Sequence, residues 1–413
     1  MNILVVHIRF AEYDRCSGDL RLTNMLRILA ERHAVGLHIL YKPASYVAAA
    51  GNANYLGLMT RLGIEVTTGS LRTQLRRRRY DAVLIEFWYV ARHIIDEIRA
   101  LQPDARVIVD TEHLYFPSNR LRALTEGKDP DAPGLLAAKK DELDTYARAD
   151  LVVTTTDEDK TVLAGENQTS STAAATIPNI HDIPAVEESA PRRANSLVFV
   201  GSFANNPANV DGIVHFCAEA LPLVRSRIPG IALTIVGNKP PAAVQQLASD
   251  FVTVTGYVPE VEPYLAANLV SICPIRFGSG LKGKITQAMM HGLPVVTTSI
   301  GAQGLDARHG EEIMLGDTPD EFARCVTDLL QQPELRTKVS RKGRDLVIRH
   351  YSYAAVAASI DDILAGVRAR PPKRLPQPKR LSLKLRFGFI DLMHRHVLWR
   401  FRRSAGQVPG ELT

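Results

Sequence analysis

The segment from Arg276 to Met289 reads RFGSGLKGKITQAM and gathers residue types that can hold an anion. Gly278, Ser279 and Gly280 let a backbone approach a phosphate closely. The helix expected over about residues 282–291 aims its free amides at the same place, and Lys282 and Lys284 add formal charge. The spacing of GSGLKG also fits a dinucleotide fingerprint, but that motif opens a domain at its first strand and is followed about 20 residues later by an acid for the ribose. Here the glycines follow the apolar run LVSICPI deep in the second half of the chain, and the next run, LPVVTTS, ends without an acid. A terminal diphosphate suits the segment better, and a departing diphosphate could be stabilised there without a metal. On spacing alone, a plain glycine turn with solvated lysines stays open.

A second set of polar residues stands where apolar runs of the first half end: His7 and Arg9, Glu86 and Trp88, and His113 in DTEHLYF. His113, with an ordinary pKa near neutrality, could orient hydroxyls or share a proton, or could be a structural histidine satisfied by backbone. Glu86 could bind a hydroxyl or face water. Ser17 and Gly18, in DRCSGDLRLTNML, either line a binding loop or open a helix capped by Ser17 or Asp19. Arg76 to Arg79 read as the solvated end of a helix, where positive charge complements the dipole, with contact to an anionic lipid carrier as the alternative.

Positioning these groups takes strands and helices in alternation. NILVVHI, VGLHILY, DAVLIEFWYV, RVIVDTEH and DLVVTTT read as strands separated by helical stretches such as LRLTNMLRILAER, which implies parallel pairing through right-handed crossovers. IPNIHDIPAVEESAPRRAN is a proline-rich linker, after which SLVFV, IALTIVG, FVTVTGYV, LVSICPI and LPVVTTS repeat the pattern. The fold class is therefore α/β, with two doubly wound sheets. At 413 residues the chain suits two such domains rather than one core.

Several stretches together resemble the family 4 glycosyltransferases: PIRFGSGLKGKITQAMMHGLPVVTTSIGAQGL, VGSFANNPANVDGIVHF with ALPLVRSRIPGIALTIVG, VTVTGYVPEVEPYLAANLVSICP, the IPNIHD junction and the final YSYAAVAASIDDIL. The resemblance covers residues 176–364 strongly and residues 1–175 more loosely. It implies the GT-B fold of two facing Rossmann-like domains, divided as an acceptor-binding domain over residues 1–185, a nucleotide-sugar domain over 195–352, a helix crossing back over 353–366 and a basic tail over 367–413. It also implies a retaining transfer of a sugar from a nucleotide-diphosphate donor to a saccharide or lipid-linked acceptor, with no cofactor or metal beyond that co-substrate. Donor contacts then fall on Gly201, Gly278, Ser279, Gly280, Lys282, Lys284 and Gln287, acceptor contacts on Ser17, Gly18 and Glu86, and a catalytic role on His113. The family commonly carries two glutamates where Ser279 and Gln287 stand, and an arginine and a lysine after the position of Gly201, where this chain reads SFANNPANVDG. Lys282, Lys284 and Arg276 are the candidates to supply the missing charge. A non-catalytic nucleotide-sugar-binding partner of a polysaccharide assembly complex and a sugar-nucleotide epimerase are the rival readings.

From Val367 onward there are 12 Lys and Arg against 2 Asp and Glu, so the tail is near +10 while the remaining 38 basic and 42 acidic residues leave the body near −4. ARPPKRLPQPKR reads as an extended spacer, and residues 381–403 as an amphipathic segment for peripheral contact with an anionic membrane. The alternatives are packing on the body or disorder. No recognised module supports nucleic-acid binding. Cys16, Cys217, Cys273 and Cys325 lack paired spacing, which argues against a zinc site or disulfide framework. MNILVVHIRF lacks a signal-peptide pattern, and no run approaches a membrane span, so a cytoplasmic protein at the inner face of the inner membrane is expected.

Overall fold

Apolar runs rich in β-branched residues become the strands of two separate sheets. In the first, β1 (Asn2–His7), β2 (Ala34–Ile39), β3 (Glu65–Thr68), β4 (Ala82–Glu86), β5 (Arg106–Asp110), β6 (Leu151–Thr154) and β7 (Ala173–Thr176) lie in the order β3-β2-β1-β4-β5-β6-β7. In the second, β8 (Ser196–Val200), β9 (Ala232–Val236), β10 (Val252–Gly256), β11 (Val270–Cys273), β12 (Val295–Thr297) and β13 (Met314–Leu315) lie in the order β10-β9-β8-β11-β12-β13. Neighbouring strands in both sheets run parallel. The computed structural model describes all of the chain except Cys16, Asn167, Gln168, Ser170, residues 186–191, Asn205, Ser279 and residues 393–413, with backbone alone for residues 388–392.

Each sheet winds outward in both directions from its first strand, so strand order reverses between β1 and β4 and again between β8 and β11. Connections leave opposite faces of the sheet at such a point, and a crevice opens at the carboxyl ends of the strands. The expected doubly wound architecture is present twice. Three strands escaped the sequence reading: β3 (EVTT), β7 (AAAT) and β13 (ML) are short edge strands with little apolar alternation. DAVLIEFWYV was expected to be one strand, but β4 stops at Glu86, Phe87 takes φ +69°, and Trp88 starts a helix to Leu101.

The linker is short in its effect. Ile177 and Ile180 belong to the apolar core of the first domain, and Ile183 packs in the core of the second, so the chain changes domain within a few residues. It crosses back where His181 pairs with Ser352, whose hydroxyl accepts the Ala355 amide and caps the helix Tyr353–Ala369. Val356, Ile360, Leu364 and Val367 of this helix recur at helical spacing and bury themselves in the first core. Each such side chain is worth about 1.5–3 kcal/mol of apolar transfer. That burial holds the returning helix on the first domain.

The proline-rich stretch does not hang free. The Lys373 amide donates to Asp150 Oδ1 at 2.6 Å, its ammonium reaches Ala147 O and Thr172 Oγ1, both at 2.8 Å, and Arg374 pairs with Asp104 at 2.8 Å. A helix, Gln377–Leu392, starts inside the expected spacer and lies against Trp88–Leu101 through a Lys379–Asp96 pair and buried Phe387, over which Arg72 sits at 5.2 Å. Residues 393–403 of the expected membrane segment lie outside the described residues.

Candidate functional site

The loop after β11 ends in the helix Gly283–Met290, and its glycines adopt conformations that residues with side chains rarely take: Gly278 has φ +133° and Gly280 φ +71°. Lys284, in the first turn, donates to Asn209 Oδ1 and lies 4.7 Å from the centre of the Phe199 ring. That position is directly beside Gly201 at the end of β8, where an added Cβ would come 2.9 Å from Lys284 Nζ. The two loops at the strand-order reversal thus bring Gly201 and Lys284 together. Lys282 folds back to donate to Gly280 O at 2.8 Å, and burial draws its pKa down to about 8, partly offset by Cys273 and Asp159. Burial also lowers the Lys284 pKa. At about 8 the Lys282 ammonium remains the predominant form at neutral pH, and an incoming dianion would favour the charged form of both lysines.

Arg276 does not join them, because Asp211 takes its guanidinium in a two-point ion pair at 2.6 and 2.8 Å. The expectation that Arg276 could supply free charge is therefore corrected. Gln287 is half-buried on the same helix. Ser279 lies outside the described residues.

Across the cleft, the first domain presents the carboxyl ends of β1, β4 and β5. Val6 pairs in register with Ile85, and Glu86 with Asp110, so His7, Glu86 and Asp110 stand in one row across three strands. Arg21, itself fully buried, pairs with Asp110 at 2.8 Å. Glu86 does not face water, one of its two expected settings: it is fully buried, and both carboxyl oxygens lack a hydrogen-bond partner within the protein. Burial, reinforced by the charges of Asp110 and Glu112, raises its pKa well above the ordinary range and so favours the protonated acid.

Ser17 opens the helix Ser17–Arg32 and touches the donor loop, since a Cβ on Gly283 would sit 2.5 Å from Ser17 Cβ. Gly18 makes room for Glu112, whose carboxylate would overlap any side chain there. Asp19 pairs with Arg9 and accepts the Glu12 amide at 2.9 Å. Glu112 was not foreseen. It takes φ +52°, and burial lifts its carboxyl pKa to about 7 against the pull of Arg21.

His113 stacks on Tyr115 with ring centres 4.4 Å apart. Behind it, Glu142 accepts the Tyr115 and Phe116 amides at 2.8 and 2.9 Å and the Tyr146 hydroxyl at 2.9 Å, which fixes the start of the helix Tyr115–Thr125. Burial, and then the charge of Lys282, lower the His113 pKa to about 4. The near-neutral value expected from its type is corrected: His113 is a neutral imidazole that can accept or donate a hydrogen bond. It also abuts the donor loop, because a Cβ on Gly280 would lie 2.8 Å from His113 Cβ. Residues expected on the donor side and on the acceptor side are therefore in contact.

Residues 194–332 match the family described as Glycosyl transferases group 1. A protein of 44.6 kDa from the cps region of Klebsiella pneumoniae is 25% identical over 174 residues, which is 40% of this chain and 45% of that protein. The lipopolysaccharide core biosynthesis glycosyltransferase LpsE of Rhizobium meliloti is 27% identical, covering 34% of this chain and 44% of its own. A GDP-mannose-dependent phosphatidylinositol monomannoside mannosyltransferase of Mycobacterium tuberculosis is 29% identical, over 36% of this chain and 42% of its own. The chain spans less than half the length of these curated relatives. Among solved structures, sucrose-phosphate synthase from Thermosynechococcus elongatus superposes with a TM-score of 0.67 at 13% identity, covering 89% of this chain and 100% of that one. Anabaena Alr3699/HepE in complex with UDP and glucose gives 0.65 at 15% identity with the same coverage. At such identities the likeness is one of fold, and the fold is GT-B.

Proposed function

We propose, for a chain whose second domain belongs to the group 1 glycosyltransferases and whose two domains make a GT-B fold, the transfer of a sugar from a nucleotide-diphosphate donor to a saccharide or lipid-linked acceptor in polysaccharide or glycolipid synthesis. One observation carries this reading: Gly201 and Lys284 stand together beside the amides opening Gly283–Met290, and Gly280 of the same loop abuts His113 of the first domain. Lys284 and those amides would hold the diphosphate and stabilise the charge that grows on it as the glycosidic bond breaks. Neutral His113 would accept a hydrogen bond from a donor or acceptor hydroxyl and so align the reacting groups. With retention, the departing phosphate takes the acceptor proton on the same face of the sugar, and neither a protein nucleophile nor a metal is needed.

Calorimetric titration of UDP and GDP into the protein, followed by transfer or hydrolysis assays with UDP-glucose, UDP-N-acetylglucosamine and GDP-mannose, tests this. One nucleotide should bind, and Lys284→Ala should weaken it by about tenfold, the size of one charge-assisted contact. Unchanged affinity in both Lys284→Ala and Lys282→Ala removes the diphosphate site. Binding without turnover favours a non-catalytic sugar-nucleotide binder, and an epimerised donor without acceptor favours an epimerase.

A second reading concerns the tail. On the helix Gln377–Leu392, Leu381 and Leu385 are 60% and 66% exposed, one turn apart, beside exposed Lys384 and Arg386. An apolar stripe flanked by cations suits the surface of an anionic bilayer. The helix rides on the first domain, so membrane contact would bring the acceptor side to lipid-linked substrates. A location at the cytoplasmic face of the inner membrane belongs to this same proposal.

A further inference from the structure

The run Thr154-Thr155-Thr156 closes β6, and its three hydroxyls serve three purposes. Thr154 Oγ1 donates to Thr156 O at 2.9 Å, and Thr156 Oγ1 accepts the Asp159 amide to cap the helix Asp157–Gly165. Thr155 is buried at 4% exposure, and its hydroxyl does something else. It donates to Glu112 O at 2.8 Å and accepts from Leu281 N at 3.3 Å. A hydroxyl has one hydrogen and spare lone pairs, so it makes both bonds at once.

The two partners belong to different domains. Glu112 O is half of the peptide unit that carries His113, and Glu112 sits at φ +52°, a region that costs a non-glycine residue about 1 kcal/mol or more. Something must hold that peptide in place. Leu281 N belongs to the GSGLKG loop, one residue after Gly280, whose missing side chain leaves room for His113 and for Thr155 Oγ1 itself. Other contacts also join the domains: Gly304 N donates to Glu158 Oε2 at 3.1 Å, and the Tyr257 hydroxyl to Asp14 Oδ2 at 3.2 Å. Neither touches the peptide before His113.

We propose that Thr155 is a positioning residue that ties the Glu112–His113 peptide to the amide of the donor loop, so that the loop gripping a diphosphate sets His113 against the cleft. Its consequence for turnover rests on the glycosyltransferase reading above; the tie itself does not. Thr155→Val keeps shape and loses both hydrogen bonds, whereas Thr155→Ser keeps both. Hydrogen exchange of peptides spanning residues 278–284 and 111–115 should quicken in Thr155→Val and match wild type in Thr155→Ser. With a donor from the panel above, Thr155→Val should lower kcat about tenfold while the affinity for UDP or GDP stays within about twofold, and Thr155→Ser should stay within about twofold in both. Unchanged exchange in Thr155→Val overturns the tie. Equal losses of nucleotide affinity and turnover, or a serine variant as impaired as the valine one, overturn the positioning role. If wild type turns over none of the donors, the transferase reading fails by itself, and the exchange comparison still decides whether Thr155 couples the two loops.

Discussion

Glu86 shows how burial alters the charge that a residue's type suggests. A glutamate at the carboxyl end of a central strand invites a binding role, yet its burial without a partner makes the neutral acid the stable form. The folded state then holds a proton that the unfolded chain releases once pH passes the ordinary carboxylate value. Stability from this group is therefore full at low pH and declines as pH rises toward the raised pKa. Glu86→Gln copies the protonated shape and removes that decline. Urea unfolding at about pH 5 and about pH 8 should show the variant gaining on wild type as pH rises, and a pH-independent difference would refute the raised pKa. The glycine-lysine loop of Gly280, Lys282 and Lys284 was legible from residue type and spacing. Glu112 and Thr155 were not, because their importance comes from a left-handed backbone and a bond between residues 126 apart in sequence.

The helix Ser17–Arg32 does more than present Ser17 and Gly18 at its start. Arg21 donates to Ile177 O at 3.0 and 2.8 Å, Asn24 donates to Ile180 O at 2.8 Å, and Arg27 pairs with Asp182 at 2.5 Å. Three residues at three-residue steps thus grip the junction between the domains along its length. On the far side of the junction, His181 Nε2 meets Thr286 Oγ1 of the donor helix at 2.7 Å. Replacing Arg21 by Ala leaves Asp110 as an uncompensated buried charge, a loss of about 3–5 kcal/mol. Urea titration should register it, and Arg21→Met with Asp110→Asn should recover part of it because no bare charge remains. A loss below about 1 kcal/mol would mean that solvent reaches the pair. Apolar periodicity made this helix and the inner strands readable, while the edge strands β3, β7 and β13 are defined by hydrogen bonding to a neighbour rather than by their own pattern.

Among the described residues, two sheets are joined by a short crossing and a returning helix, and the helix Gln377–Leu392 lies along the first domain. If the tail addresses a bilayer, the protein should float with vesicles containing about one-third phosphatidylglycerol and not with phosphatidylcholine alone, and Leu381→Asp with Leu385→Asp should abolish flotation without lowering the thermal midpoint, since both side chains are exposed. Flotation of that variant at the wild-type level would exclude this helix as the contact. Among the described residues no helix is long and apolar enough to cross a membrane. The amino-acid sequence by itself determined the alternation of strands and helices, the restart that marks a second domain and the glycine-lysine loop, since each is a local pattern of size, apolarity and charge. Only the tertiary structure decided that Arg276 is already paired, that Glu86 is sealed with its pKa raised, that burial lowers the His113 pKa and that Thr155 bridges the domains. Those properties depend on distance and desolvation between groups far apart in the chain, which no local pattern encodes.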